Sequence, residues 1–381
     1  MSARDNVLSL FFSEGIDLVR ITSAEPLLEA CDAANNAFQK GALTGLHWMD
    51  AAWISRASQP VAFLENASSV ILAGIPAHAP DPVLDQEDVT RGRIARYARG
   101  RDYHRIFEKK LRRIVKNIRS DFSAEARSTV DYGPLLERSF AARSGLGWLG
   151  KSTMLLAPGF GPWILLGAVV TSLPLEPDDA LKKSCGSCTR CIEACPTGAI
   201  AGDGGVLDSR LCISYHTIEN RGPIPYDLRE KFNDWIFGCD ICLDACPVGS
   251  EVEAAHPDTV PISVENALPM LIPLLSLDEQ SFKERFRGSA ILRATRDGFL
   301  RNVCVALGNV GTAQDLESLA VALKDNAPLV RGHAVWAIAN IIFRFDISPT
   351  YRSVLDEQLS FEQDKFVRDE LVLALKKITH N

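Results

Sequence analysis

Seven cysteines stand in two short runs, and their spacing is the first chemistry the chain offers. Residues 185–200 read CGSCTRCIEACPTGAI, a C-x2-C-x2-C-x3-C ladder of Cys185, Cys188, Cys191 and Cys195 with Pro196 behind it. Residues 238–247 read GCDICLDACP and hold only Cys239, Cys242 and Cys246 before Pro247, because Ile236 occupies the place of a leading cysteine. The full ladder is the ligand run of a [4Fe–4S] cube, in which three thiolates hold one cube and the fourth reaches a second. Thiolates suit the task because soft, electron-rich sulfur stabilises iron through its redox change. Two cubes need eight thiolates; the runs supply seven, and the only cysteine between them is Cys212 in SRLCISYH. The crossover rule then assigns Cys185, Cys188, Cys191 and Cys246 to one cluster and Cys195, Cys212, Cys239 and Cys242 to the other. The alternative, a pair of zinc knuckles, rarely uses this ladder with its trailing proline. Cys31 and Cys304 sit in apolar helical patterns, where a cysteine behaves as a small buried hydrophobe.

Such clusters must be held by elements that the rest of the chain supplies. The first 180 residues mix β-rich runs (IDLVRITS, SSVILAGIP, STMLLAP, WILLGAVVTSLPL) with helical periods. In YHRIFEKKLRRIVKNI, Phe107, Leu111, Ile114 and Ile118 fall on one stripe of a helix. The alternation reads as a mixed α/β domain over 1–180. Residues 181–255 are rich in Gly, Pro and Cys and too poor in apolar residues for a core of their own, so metal clusters serve as that core in a ferredoxin-like insert. Over 256–381 the chain repeats itself. FLRNVCVALGNV (299–310), LVRGHAVWAIAN (329–340) and FVRDELVLALKK (366–377) align without gaps, each with an arginine in register. Helical repeats at intervals of 30 and 37 residues indicate a short all-α solenoid of the HEAT kind.

Composition narrows the class of protein. The chain has 381 residues, 46% hydrophobic and 23% charged, with a net charge of −7. That describes a soluble globular protein of two or three domains. No export signal precedes the first elements, and WILLGAVV is far short of the roughly 18 residues that span a bilayer. Paired cysteine runs suit a reducing cytosol, so a cytoplasmic protein without a membrane partner is expected.

The net charge hides two basic islands. Arg91 to Arg119 carries twelve Lys/Arg against Asp102 and Glu108, and Lys283 to Arg301 carries six against two acids. Two islands in an acidic chain favour a phosphate-backbone partner, recognised by shape in the absence of a zinc-finger, RRM or KH signature. In the tail, Arg301 and Arg331 occupy equivalent repeat positions and would join Arg293 and Arg296 in a basic ridge. Alternatively they pair with acids such as Asp297 or Asp325 and serve packing. GLGWLGKS (145–152) matches a phosphate-loop pattern literally, but a helical run precedes it and a strand follows, the reverse of what that loop needs. Its glycines are expected to allow close backbone approach.

Together these pieces resemble one family, the epoxyqueuosine reductases, cobalamin- and iron–sulfur-dependent enzymes of tRNA wobble-base modification. The resemblance rests on RYARGRDYH, DYGPLLERSFAARSGLGWLGKS, the two cysteine runs with Cys212 in CISY, and the helical repeats, and it covers nearly the whole chain. It implies that residues 1–180 bind a corrinoid and that the reaction reduces the epoxide of epoxyqueuosine to the alkene with loss of water. The substrate would be the tRNAs with GUN anticodons, those for tyrosine, histidine, aspartate and asparagine. An external electron donor would reduce the clusters, and through them the cobalt. Asp131 takes the place of the family's proton donor, since the epoxide oxygen leaves as an alkoxide that a positioned acid must protonate. A carboxyl keeps its proton near neutrality only when desolvated. The corrinoid contacts carry over to Arg56, Asp131, Leu155, Leu166, Ser214, Cys239 and Asp240. No D-x-H-x-x-G motif of histidine-ligated cobalamin enzymes is present, as the family's base-off binding implies. A monomer is expected. The rival readings are a corrinoid reductase for a small organohalide, which leaves the basic islands without purpose, and an electron carrier or repeat scaffold, which leaves the first 180 residues or the thiolates without one.

Overall fold

The long apolar runs of the first 180 residues become a sheet covered on both faces. The computed structural model describes residues 2–84, 89–255, 260–261, 263–346 and 350–379. Its strands are β1 Leu18–Ser23, β2 Ser69–Pro76, β3 Arg93–Ile94, β4 Ala126–Thr129, β5 Trp148–Leu149, β6 Leu155–Leu156, β7 Ile164–Thr171 and β8 Trp235–Phe237. Two compact units divide the chain, each discontinuous. The first takes Met1–Pro80, Gly100–Arg210 and Asp240–Val260; the second takes Asp81–Arg99, Leu211–Cys239 and Pro261–Asn381.

In the first unit, β1, β2, β7 and β4 form an antiparallel sheet in that order. The register sets Ile71 opposite Val169 and Thr129 opposite Ala168. Side chains alternate between faces along each strand. Val70, Leu72, Ala168 and Val170 enter one core with Phe140 and Ala141 of the helix Glu137–Arg143. Ile71, Ala73 and Val169 enter the other with Phe107, Leu111, Ile114 and Ile118 of the helix Tyr103–Phe122. Those four helix residues are fully buried, each contributing about 2 kcal/mol of burial free energy. At one end of the two central strands, Ile75 and Pro76 of β2 and Leu165 and Leu166 of β7 are half-buried where the rest of both strands is buried.

The glycine-rich GLGWLGKS segment follows the helix Glu137–Arg143 and becomes the hairpin of β5 and β6, with no helix opening behind it. Gly145 has φ +73°, and a Cβ there would lie 2.1 Å from the carbonyl oxygen of Asp179. At Gly147 a Cβ would lie 2.5 Å from the Leu156 carbonyl. Both glycines serve close backbone approach, as the element order requires.

The second unit is helical apart from the short parallel pair β3 and β8. Each repeat segment lies on one helix, Arg296–Val310, Pro328–Phe345 or Lys365–Thr379, and successive helices pack together. From Gly332 to Ile342 every residue is buried, the mark of a helix enclosed on all sides.

The arginines of this unit do not form a basic ridge. Arg301 is 1% exposed. Its guanidinium donates to the carbonyls of Asn220 (2.8 Å), Gly222 (2.6 Å) and His216 and to the Asn302 side chain. Arg331 makes a two-bond pair with Glu362 at 2.8 and 2.9 Å and donates to the Asp325 carbonyl. Arg368, in the same register, donates to the Leu359 and Glu362 carbonyls. Arg296 grips Asp325, and Arg293 pairs with Glu219 at 2.6 Å. The packing alternative is therefore the one the structure adopts. In an enclosed helix an arginine must find acceptors inside, and the carbonyls of preceding turns are the acceptors at hand. Among the described residues no helix is long and apolar enough to cross a membrane.

Candidate active site and iron–sulfur ligands

Asp131 leaves β4 two residues beyond the Thr129–Ala168 pair, so the antiparallel register brings it level with Leu166, at the half-buried end of the central strands. Its backbone is in the left-handed region, φ +60°, which aspartate tolerates better than most residues but still at a cost of about 1 kcal/mol. Two contacts hold it there. The Asp131 N–H donates to both carboxyl oxygens of Glu137, at 3.0 and 3.1 Å. Its carboxylate meets Nε2 of His104 at 3.4 Å, while Nδ1 of His104 lies 2.7 Å from Asp102. Asp102 does double duty, since the same carboxylate oxygen caps the helix Tyr103–Phe122 by accepting the His104 N–H at 3.2 Å.

The electrostatics follow from these partners. Burial alone would depress His104, but its hydrogen bonds to Asp102 and Asp131 outweigh burial and raise its pKa from 6.5 to about 9. His104 is an imidazolium at neutral pH. Burial, reinforced by the charge of Asp131, raises Glu137 from 4.5 to about 8. A line of three groups, Asp102–His104–Asp131, thus carries a proton at a ring nitrogen next to the carboxylate. The Asp131 side chain is 56% exposed, so the desolvation a neutral acid needs must come from whatever covers the sheet end. Once desolvated, a carboxyl at Asp131 held by His104 can deliver a proton to a leaving oxygen.

Neither His104 nor Glu137 stood out in the sequence as functional. His104 lies in RYARGRDYH and Glu137 in DYGPLLERSF, but their contacts with Asp131 are made across the fold. The one available signal was Asp-x-His at the start of a strongly amphipathic helix, which places a carboxylate and an imidazole on the same turn.

The residues expected to touch a corrinoid fall in both units. In the first, Leu155 is buried in the core that Leu166 joins from the rim. Arg56 is exposed near the end of the helix Ala51–Ala57. The next residue, Ala57, accepts the Leu136 N–H at 2.9 Å, tying this helix to the Asp131 segment. Asp240 is buried, at the N-cap of the helix Ile241–Asp244. Ser214 and Cys239 belong to the second unit, Ser214 half-buried in the helix Ile213–Ile218 and Cys239 just after β8. The first-unit set combines an apolar sheet end with an exposed arginine and a half-exposed carboxylate, a donor set that fits a broad amphipathic macrocycle.

No disulfide is seen among the ten cysteines. Within the first unit the structure gathers Cys185, Cys188, Cys191 and Cys246. Burial raises the Cys191 thiol, and the charges of Cys185, Cys246 and Cys188 raise it further. Burial likewise raises Cys246, with added repulsion from Cys185 and Cys188. Mutual repulsion of four neighbouring thiolates is what a cationic iron cluster relieves. Cys195 behaves differently. Burial would raise it, but hydrogen bonds from the Thr197 side chain and the backbone N–H groups of Ala199, Thr197 and Ile200 lower it instead. Cys242 shares this unit, while Cys212, at the N-cap of helix Ile213–Ile218, and Cys239 lie in the second. Cys304 is fully buried and Cys31 half-buried.

A cluster ladder in the same unit as a proton-carrying acid–imidazole line is the equipment of an iron–sulfur oxidoreductase. Comparison with known proteins gives the particular one. Residues 184–249 match the 4Fe-4S double cluster binding domain, and residues 57–132 match the family described as epoxyqueuosine reductase QueG, DUF1730. The epoxyqueuosine reductase of Xanthomonas campestris pv. campestris is 38% identical over 301 residues, 77% of this chain and 84% of that one. A crystal structure of epoxyqueuosine reductase with an epoxyqueuosine-modified stem loop of tyrosine tRNA superposes with a TM-score of 0.91 at 30% identity, covering 98% of both chains. A Bacillus subtilis structure with its catalytic aspartate loop swung out of the active site has a TM-score of 0.89 at 29% identity, again over 98% of each. The chain belongs to the epoxyqueuosine reductase family.

Proposed function

We propose that this chain reduces epoxyqueuosine to queuosine at the wobble position of tRNAs with GUN anticodons. The balance is an epoxide plus two electrons and two protons giving an alkene and water. The observation that carries the proton chemistry is the hydrogen-bonded Asp102–His104–Asp131 line at the half-buried sheet end. Asp131 protonates the departing epoxide oxygen once bound substrate desolvates its carboxyl, and His104, hydrogen-bonded to that carboxyl, orients it. Glu137 holds the Asp131 backbone in its left-handed conformation, so the carboxyl is aimed before substrate arrives. In the Bacillus subtilis relative the catalytic aspartate rides on a loop that swings out, and the Asp131 segment, tethered by only a few contacts, is its counterpart here.

The residues that would hold cobalamin are Arg56, Asp131, Leu155, Leu166 and Asp240 of the first unit, with Ser214 and Cys239 of the second carried over from the family resemblance, and when bound it would supply low-valent cobalt as the reductant of the epoxide. Residues 1–180 are the catalytic domain in this reading, 181–255 the ferredoxin-like insert and 256–381 a HEAT-like solenoid. Cys185, Cys188, Cys191 and Cys246 hold one cube, and Cys195, Cys212, Cys239 and Cys242 the other. An external donor feeds the clusters. The enzyme works as a monomer in the cytoplasm, where its thiols stay reduced.

Two variants test this. Asp131→Asn keeps size and hydrogen-bonding capacity but carries no acidic proton. It is expected to retain both clusters and bind cobalamin while turnover on modified tRNA falls roughly 10²-fold; near-normal turnover would assign the proton to another group. Cys212→Ala is expected to lower iron towards one cube per chain while Cys31→Ala leaves it unchanged. Equal loss from both would remove Cys212 from the ligand set.

A further inference from the structure

The twelve cations of the first basic island divide sharply once folded. Arg93, Arg96 and Arg99 converge on Asp81, Arg91 donates to the Leu268 carbonyl, and Arg119 donates to the Ala126 carbonyl. Arg101, Arg113 and Arg119 are exposed as well, but the outward cations that fall in line form a stripe on the helix Tyr103–Phe122. Arg105, Lys109, Arg112 and Lys116 are all exposed, and their spacing of four, three and four residues puts them on one helical face. With Glu108 and Arg113 they line a shallow groove of about 430 Å³. Its two neighbouring acids are engaged: Glu108 pairs with Arg112 at 2.9 Å, and Glu14 pairs with Arg113. Among the described residues, no acid forms an ion pair with Arg105, Lys109 or Lys116.

We propose that this stripe is the seat of the sugar–phosphate backbone of the substrate RNA's stem, next to the loop that carries the reacting nucleoside. The inference rests on the tRNA reading above and adds where the stem lies. Three features select this occupant. First, the stripe begins one residue after His104, whose ring meets Asp131, so a stem loop whose reacting nucleoside sits at Asp131 has its stem within reach of this helix. Second, the cations follow one another at about 6, 4.5 and 6 Å along the axis and extend for about 16 Å. A ladder of that regularity suits a polyanion with evenly repeated charge. Third, the cations stand in a chain of net charge −7, so a stripe of four cations with Glu108 as the one acid paired to it is a local exception that a phosphate backbone would neutralise with release of counterions.

The test uses full-length, cluster-loaded enzyme carrying Lys109→Ala, Arg112→Ala and Lys116→Ala together, with iron content and melting temperature as controls. Binding of an epoxyqueuosine-modified anticodon stem loop is measured by fluorescence anisotropy between 50 and 200 mM salt. The log Kd against log salt slope is expected to fall by about 2 to 3, with affinity down roughly 10- to 100-fold at the lower salt. A loop-only trinucleotide carrying epoxyqueuosine is expected to turn over at the wild-type rate. An unchanged slope overturns the proposal. So does an unchanged slope with slower reduction of the clusters by an acidic protein donor, which would make the stripe a donor dock instead. If wild type binds the stem loop with the stripe-dependent slope yet never reduces it, the functional reading falls and the RNA surface stands.

Discussion

Arg296, Arg301 and Arg331 of the helical unit point inward, while Arg105, Lys109, Arg112 and Lys116 of the helix Tyr103–Phe122 point outward, although both regions look alike as basic sequence. The helix Arg296–Val310 is buried continuously from Gly298 to Gly308; Arg301 has no outer face to occupy and is satisfied by carbonyls and Asn302. The helix Tyr103–Phe122 covers a sheet with one stripe, Phe107, Leu111, Ile114 and Ile118, and its remaining faces are open. What decides the role of a basic residue is the number of sides on which its helix is covered. Charge counting along a sequence cannot register that.

The comparison breaks first, and hardest, at Arg229 and Glu370. The pair is held at 2.6 and 2.7 Å with both residues buried. Glu370→Gln leaves a buried guanidinium uncompensated and is expected to destabilise the protein by about 3–5 kcal/mol, read by chemical denaturation. An effect under about 1 kcal/mol would mean that the inward cations are not structural. Next comes Arg331→Ala, expected to cost about 2 kcal/mol through the lost Glu362 and carbonyl bonds while leaving the salt slope of stem-loop binding unchanged. Lys116→Ala should do the reverse, with a stability change within about 0.5 kcal/mol and a slope lower by about 1. If the two variants exchange these signatures, the division is wrong.

Titration sharpens the contrast with a smaller effect. Glu362, held by Arg331, has its pKa lowered from 4.5 to about 2. Its stabilisation is complete above about pH 4.5 and is lost as pH falls through 2. His104 and Glu137 are raised, to about 9 and about 8. Their contributions decline with rising pH, from 4.5 to about 8 for Glu137 and from 6.5 to about 9 for His104. Melting curves from pH 6 to pH 9.5 should therefore show alkaline weakening that His104→Gln and Glu137→Gln diminish. A wild-type stability that is flat over this range would refute both assignments.

Much of the fold was legible in the residues, and for identifiable reasons. The cysteine ladder is local, so spacing alone speaks. The Phe107 stripe and the repeat helices are periodic, and all fall on the helices the pattern indicates. β4 was missed because ARST is short and half polar, and it exists by pairing with β7. The acid–imidazole line was missed because His104 and Asp131 are 27 residues apart and meet only in the fold. The repeat arginines were visible as a register, but their acceptors were not, since carbonyls of distant turns leave no mark in side-chain chemistry. The segments 81–99 and 240–260 join units other than those of their sequence neighbours, and no compositional shift announces it.

That interleaving bears on how the molecule is made. The chain passes between units at 80/81, 99/100, 210/211, 239/240 and 260/261, so neither unit is complete until a ribosome has read far past its beginning. At 5 to 20 residues per second, the first strand waits roughly ten to fifty seconds for residues 240–260. Throughout that interval the thiols of the first run stand without Cys246, the partner the second run brings to them. Synthesis therefore precedes assembly: the nascent chain must be kept reduced and unaggregated, and with the ligand set proposed above the first cube would close only after the second cysteine run has emerged.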